Sequence, residues 1–484
     1  MSSWYLLILI VYFGILLLIA YVTGRRSDNR TFFTGNRQSP WYLVAFGMVG
    51  ATISGISVVS VPGMVGASHF SYLQTVIGFF FGYVVVAYVL LPLYYRLNLT
   101  SIYEYLNNRF GKEAHHTGSL FFIVAKLVSS ATKLYIAALV LQQFIFDAWH
   151  IPFWVTVSLC VFLMWLYTRR GGIRTIVWTD SLQTIFLVIA LILMVVDVIH
   201  LMNLSSIEAC DTIYASDWSD TFTLGTWGCR QNFFKQFLSG IFIVIVMTGL
   251  DQDMMQKNLT CRTLKESQKN MLWCGAAFLP VNFLLLSLGA LLLLFAKTNG
   301  ITLPTQPDRI LPYFATTYFS PVTALFFILG IIAASFSSAD SALTAITTTI
   351  SIDLLHIKTR SQQKAERLRR QIHIGVSLLF IGLVLVFNAL PNQSIIDTIY
   401  TIVGYAYGPL LGLFAFGLLT KKQCRNQWIP IVAILSPILT FVIQWVCSHY
   451  WGYQFGYELL MLNGLITFVG LSLIRTNQWK VDNG

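Results

Sequence analysis

About thirteen apolar stretches run through this chain, each close to the roughly 20 residues that a helix needs to cross a bilayer. They lie near 4–23, 41–66, 71–95, 119–146, 151–168, 175–201, 234–254, 271–296, 319–352, 373–390, 395–420, 428–449 and 455–474. Each is continuous rather than alternating, and a helix satisfies its own backbone in hydrocarbon. The expectation is an all-α polytopic membrane protein, one bundle over residues 1–484. Composition agrees: 56% of the residues are hydrophobic and 11% charged, where a soluble domain is about a quarter charged. A soluble enzyme and a disordered chain are excluded. The first stretch does not read as a cleaved leader, because no basic residue precedes it and no small-residue cleavage site follows.

The formal charge of +11 invites a nucleic-acid reading, but the placement of the charges argues against it. Twenty-five of the 31 basic residues fall after odd-numbered spans, in clusters such as Arg25–Arg37, Arg169–Arg174, Lys257–Lys269 and Lys358–Arg370. The opposite side holds Arg230, Lys235, Lys297 and Arg309, while Lys126 and Lys133 lie inside a span. The positive-inside rule then puts the N-terminus outside and the C-terminus inside. Of seven cysteines, Cys210 and Cys229 share the one long external loop, 202–233, where a disulfide and two free thiols are both open readings. No Cys/His set has metal-ligand spacing.

Polar residues inside the spans carry the functional information, since each is costly in hydrocarbon. The second span contains Gly47, Gly50 and Gly55 together with Thr52, Ser54 and Ser57. Glycine lets a helix open and expose carbonyls that hold a cation, and it equally serves close helix packing. The seventh span loses its apolar character at Thr248-Gly249-Leu250-Asp251-Gln252-Asp253, before Gln256 and Lys257. Two interrupted spans, each opening a five-helix half at 41–201 and 234–420, are the pointer to an inverted-repeat transporter. This leaves one extra helix at 4–23 and two at 428–474.

In the ninth span Ser337, Asp340, Ser341 and Thr344 share one helical stripe, an oxygen set suited to a hard cation or a polar pathway. Asp180 lies six residues past Arg174, roughly 9 Å deep at 1.5 Å per residue, as an interfacial cap or an ion-pair partner. Lys126 can reach the interface by snorkelling. Lys133, near mid-span, needs an anion: an aspartate such as Asp340, or a substrate carboxylate.

The run Gly171-Gly172 through Trp178-Thr179-Asp180 and Gln183 resembles a signature of the sodium:solute symporter family. The segment Arg26–Pro40 with Phe32-Phe33-Thr34-Gly35-Asn36-Arg37, Gly249–Gln256 and Ala333–Ser341 extend the likeness over nearly the whole chain. The resemblance implies a LeuT-type core of two inverted five-helix repeats and transport coupled to sodium. Matched position by position, the family's main sodium site takes carbonyls from Gly50, Ile53 and Ala334 and hydroxyls from Ser337 and Ser338. Some members hold a second sodium on the aspartate matching Asp180 and on serines of the ninth span. Here Asp340 stands where such relatives often have serine, beside Ser341, so it either strengthens that second site or pairs with Lys133.

The function expected is a sodium-coupled symporter that imports a small polar organic solute across the cell's inner membrane by alternating access. Its partners are the solute, sodium ions and the bilayer, with no nucleic acid and no enzymatic role. Candidate solute ligands are Thr52, Ser54, Ser57, Lys133, Gln252 and Tyr405; Gln252 has the inner vestibule as its other placement. A proton-coupled carrier of the same fold, with Asp180 or Asp340 carrying the proton, is the alternative, and pH-driven, sodium-independent uptake would favour it. A receptor would append a signalling domain, yet only ten residues follow the last span.

Overall fold

The computed structural model describes residues 2–25, 27–225, 229, 231–389, 395–453 and 455–476. The chain opens with α1 (Ser2–Gly24) and a short α2 (Asn29–Thr34). Next come α3 (Trp41–Thr52) and α4 (Gly55–Ser68), which meet at a 58° bend. A π turn joins α5 (Tyr72–Val85) to α6 (Leu91–Arg96). After these come α7 (Glu104–Phe110), α8 (Lys112–Leu141), α9 (Phe153–Thr168) and α10 (Ile173–Leu201). The long connection carries α11 (Ser206–Tyr214). Then α12 (Phe233–Val244), extended by a π turn to Gly249, meets α13 (Gln252–Asn258) at 71°. The rest is α14 (Leu264–Thr298), α15 (Ile310–Thr317), α16 (Pro321–Thr349), α17 (Gln362–Ala389), α18 (Ile395–Leu419), α19 (Ile429–Trp451) and α20 (Leu459–Leu473). A two-stranded antiparallel ladder, β1 (Gln423–Cys424) and β2 (Arg475–Thr476), pins the segment after α20 to the α18–α19 connection.

Among the described residues eight helices are long and apolar enough to cross a membrane, and the two bent pairs bring the number to ten. Three shorter apolar segments, Phe153–Thr168, Gly404–Leu419 and Leu459–Leu473, fall where the sequence places further spans. Several helices start earlier than the hydropathy suggests: α17 begins at Gln362 rather than near 373, and α14 at Leu264 rather than near 271. Apolarity marks the hydrocarbon slab, whereas these helices continue into a basic, water-facing turn.

Burial ranks the helices by position. In its most apolar window α16 is 78% buried and α19 only 22%, so α16 runs through the centre and α19 lines the lipid face. α10 packs along α16, α3 along α10, and α8 against both α16 and α18. Gly50 makes the α3–α10 approach close: a Cβ there would sit 2.0 Å from Thr184 Oγ1. Gly55 does the same against α16, where a Cβ would meet Ser335 Oγ at 2.4 Å. Both readings of these glycines therefore hold, because the helix breaks between them and packs through them.

Candidate functional site

The first break is a local consequence of Ile53 and Ser54. Ile53 N–H donates to Val49 O at 3.1 Å, and then the backbone turns extended (ψ 95° at Ile53, 158° at Ser54). Helical bonding resumes with Val58 N–H to Ser54 O at 3.2 Å, and Ser54 Oγ caps the new helix by accepting from Ser57 N–H at 3.2 Å. The carbonyls of Gly50–Ile53 thus leave the helical ladder in the middle of the bundle. One of them, Ala51 O, accepts from Ser338 Oγ of α16 at 3.1 Å. Glycine, serine and carbonyl oxygen from two helices converge here without a charged side chain on α3 or α4.

The second break falls on Leu250 and Asp251. Asp251 caps α13, accepting from Asp253 N–H at 2.9 Å. The carbonyls freed by the bend are already engaged: Tyr94 OH donates to Gly249 O and Tyr103 OH to Leu250 O, each at 2.9 Å. Lys126, buried on α8, lies 3.0 Å from Asp251 Oδ2 and 2.7 Å from Asp253 Oδ2. Tyr407 OH of α18 donates to Asp251 Oδ2 at 2.8 Å.

Lys257 links the two regions. It is fully buried on α13, 3.8 Å from Asp253 and 2.8 Å from Asp180 Oδ2 of α10, close enough for an ion pair although not aligned as a hydrogen bond. Asp180 also accepts from Ser337 Oγ at 2.6 Å, and Ser341 Oγ stands at the 3.5 Å limit. Asp340 accepts from Tyr167 OH at 2.5 Å, while its other oxygen, Thr344 Oγ1 and Ser335 Oγ are buried without a hydrogen-bond partner. A continuous buried row of charges therefore runs from Lys126 through Asp253 and Lys257 to Asp180.

Several expectations change. Lys126 does not snorkel, because two carboxylates within 3.2 Å hold it in the interior. Lys257 is not a loop charge. Lys133 does not pair with Asp340, which is taken by Tyr167; half-buried, it forms no ion pair among the described residues, and Lys126, Asp253, Asp251 and Lys257 are the charges that act on it. Ser337 turns to Asp180 while Ser338 turns to the first break, so the two hydroxyls are not yet on one centre. Thr52 Oγ1 donates back to Met48 O at 2.7 Å, and Ser54 and Ser57 Oγ lie 3.1 Å apart.

Gln252 is held away from the first break: it accepts from Ile102 N–H at 2.9 Å and donates to Thr100 O at 3.1 Å in the α6–α7 connection. Tyr405 hydrogen-bonds Gln444 of α19, and Tyr407, two residues on, points inward. Two helical residues are about 200° apart, so the tyrosines face opposite ways. Cys210 and Cys229 are free thiols in this structure. Lys257, Tyr167 and Tyr407 escaped the sequence reading. The i,i+4 spacing of Asp253 and Lys257 and the need of a buried phenol for a partner were the available signals.

Two broken spans crossing a buried central helix, with an oxygen-lined opening at one of them, define a secondary transporter of the LeuT type. The sodium:solute symporter family model matches residues 32–427, and the chain belongs to that family. It is 25% identical over 450 residues to the sodium/sialic acid symporter NanT of Aliivibrio fischeri, covering 91% of this chain and 87% of that protein. It is also 27% identical over 429 residues to the sodium/iodide cotransporter of Homo sapiens, covering 85% of this chain and 64% of that one. A solved substrate-bound, outward-open Na+-coupled sialic acid symporter has the same fold, with a TM-score of 0.83 at 20% identity over 98% of this chain and 99% of that chain. A nucleobase-cation-symport-1 family transporter in a closed conformation aligns at 0.54 and 13% identity, over 92% and 93% of the two chains. The chain is thus a multi-pass membrane symporter, not an enzyme, and sodium rather than a proton is its co-transported ion.

Proposed function

We propose that the protein imports a small polar organic solute bearing a carboxylate across the inner membrane, with its N-terminus outside, by alternating access driven by sodium. The observation that carries the reading is the first break, where carbonyls leave the ladder opposite Ser338. The main sodium ion uses the carbonyls of Gly50, Ile53 and Ala334 and the hydroxyls of Ser337 and Ser338. Sodium is a hard cation that favours such oxygens. Loading the ion requires Ser337 to rotate from Asp180 toward α3, which couples ion binding to the Asp180–Lys257 pair. A second sodium at Asp180, Asp340 and Ser341 would compete with the Lys257 ammonium, so one ion per cycle is the better-supported count. The two halves, 41–201 and 234–420, each open with one broken span, which supports their assignment as inverted repeats.

The solute lies beside Thr52, Ser54 and Ser57, with Lys133 as its anion anchor. Lys133 supports a carboxylate because it is half-buried and forms no ion pair among the described residues. Relatives named for sialic acid and for monocarboxylates transport carboxylates. The test is uptake of labelled solutes into proteoliposomes under an inward sodium gradient, comparing carboxylates with matched neutral analogues. Carboxylate uptake that collapses without sodium is expected. In Lys133→Met the KM for the carboxylate should rise about tenfold, the loss of one bond to a charged group, with sodium affinity retained. Selective transport of the neutral analogues would refute the anchor.

A further inference from the structure

A second concentration of charge lies outside the row from Lys126 to Asp180. The end of α9 and the first half of α17 enclose a cavity of about 170 Å³ lined by Arg169, Arg170, Arg369 and Arg370, with Trp165, His373 and Ile374 completing the wall. Glu366 is 2.5 Å from Arg370 and 3.9 Å from Arg369, and Asp28 also acts on Arg369, so four guanidiniums outnumber the two carboxylates around the cavity. His373 is not available as a donor to the cavity, since its two ring nitrogens are 3.0 Å from the hydroxyls of Thr168 and Thr347.

Arg369 is the unusual member. It is 2% exposed, its guanidinium packs 4.3 Å from the ring centre of Phe32, and its Nε and Nη1 have no hydrogen-bond partner. A buried charged donor left unmatched is costly, and a forked guanidinium fits the oxygens of a phosphate better than any other anion of biological abundance except carboxylate. The cavity's other wall is apolar: Ile374 is 44% exposed and Trp165, stacked under Arg169 at 5.0 Å, is half-buried. An apolar lip beside a basic pocket between spanning helices suits a molecule that is phosphate at one end and hydrocarbon at the other.

We propose that this cavity is a phosphate-binding site filled by the headgroup of an anionic phospholipid, with Arg369 as the buried donor and Arg170 and Arg370 as the outer clasp. The full chain, reconstituted in nanodiscs of phosphatidylcholine, would be titrated with phosphatidylglycerol, and melting temperature and lipids retained in native mass spectrometry recorded. In a parallel arm, inorganic phosphate replaces phosphatidylglycerol. Phosphatidylglycerol is expected to raise the melting temperature and to be retained, and phosphate alone to do much less. Arg170→Gln combined with Arg370→Gln should weaken phosphatidylglycerol binding about tenfold, the loss of charge-assisted bonds, while melting in pure phosphatidylcholine shows that the fold persists. Arg369→Gln should abolish retention. An equal effect of inorganic phosphate would overturn the lipid assignment, and equal phosphatidylglycerol binding by the wild type and the double variant would overturn the site.

Discussion

The two breaks in the bundle interrupt apolar helices with bends of 58° and 71° and solve the same backbone problem with opposite chemistry. Between α12 and α13 the groups at the bend have fixed partners: tyrosine hydroxyls on the carbonyls of Gly249 and Leu250, and Lys126 and Tyr407 on Asp251. Between α3 and α4 the freed carbonyls face hydroxyls, and Ser338 to Ala51 is the link drawn from α16. A tethered ammonium cannot leave its carboxylates, whereas a sodium ion can leave a ring of neutral oxygens. On the proposed sodium site, one break is therefore a permanent joint and the other an exchangeable site. Lys257 sits between them, ion-paired with Asp180 of α10 at 2.8 Å and 3.8 Å from Asp253 on the joint side.

The largest effect should come from breaking the joint. Lys126→Met strands Asp251 and Asp253 in the interior, and removing one partner of a buried pair costs about 3–5 kcal/mol. Melting in detergent should fall sharply and expression with it, and adding Asp253→Asn should restore part of the loss. Ser338→Ala at the other break removes one neutral hydrogen bond, worth about 0.5–1.5 kcal/mol. If both single variants melted alike, the joint and the exchangeable site would not differ as described.

Much of this contrast was legible beforehand, and the illegible part has a common cause. Span positions follow from hydropathy because lipid imposes a length, and both breaks announce themselves as glycine, hydroxyl or acid clusters where an apolar run is expected. Partner choice is another matter. Lys126 meets Asp251 across 125 residues and Lys257 meets Asp180 across a helix crossing, so nothing local marks either pair. Lys257 lies in a run of basic residues that looks like a cytoplasmic loop, and only the 71° turn of α13 back into the bundle buries it. On α18 both flanks are apolar, so the sequence does not fix the helix phase that turns Tyr407 inward and Tyr405 toward α19.

Sharpening the exchangeable side calls for Ser337→Ala combined with Ser338→Ala. Each lost bond to a charged group costs about 1.5–3 kcal/mol, so the apparent sodium affinity should fall at least tenfold. The readout is sodium-dependent uptake across a sodium titration. Melting in sodium-free buffer should move little, since one hydroxyl bonds a carbonyl and the other a carboxylate already matched by Lys257. Unchanged sodium dependence would place the ion elsewhere.

A glycine pair, one crowded and one open, separates the two duties of glycine at the first break. In Gly50→Ala the new methyl meets Thr184 Oγ1 at 2.0 Å and its Cβ at 2.8 Å, and that hydroxyl is held by Asp180 O at 2.7 Å. Overpacking of this kind costs about 1–3 kcal/mol, and it should push α3 off α10 and so disturb the carbonyls beside Ser338. Gly375 on α17 is the control, because nothing lies within 4 Å of a Cβ there. Gly375→Ala should raise stability by about 0.8–1 kcal/mol or less, the helix-propensity difference alone, without altering sodium dependence. A Gly50→Ala protein that melts like wild type yet loses sodium affinity would show that this glycine serves backbone opening and not packing.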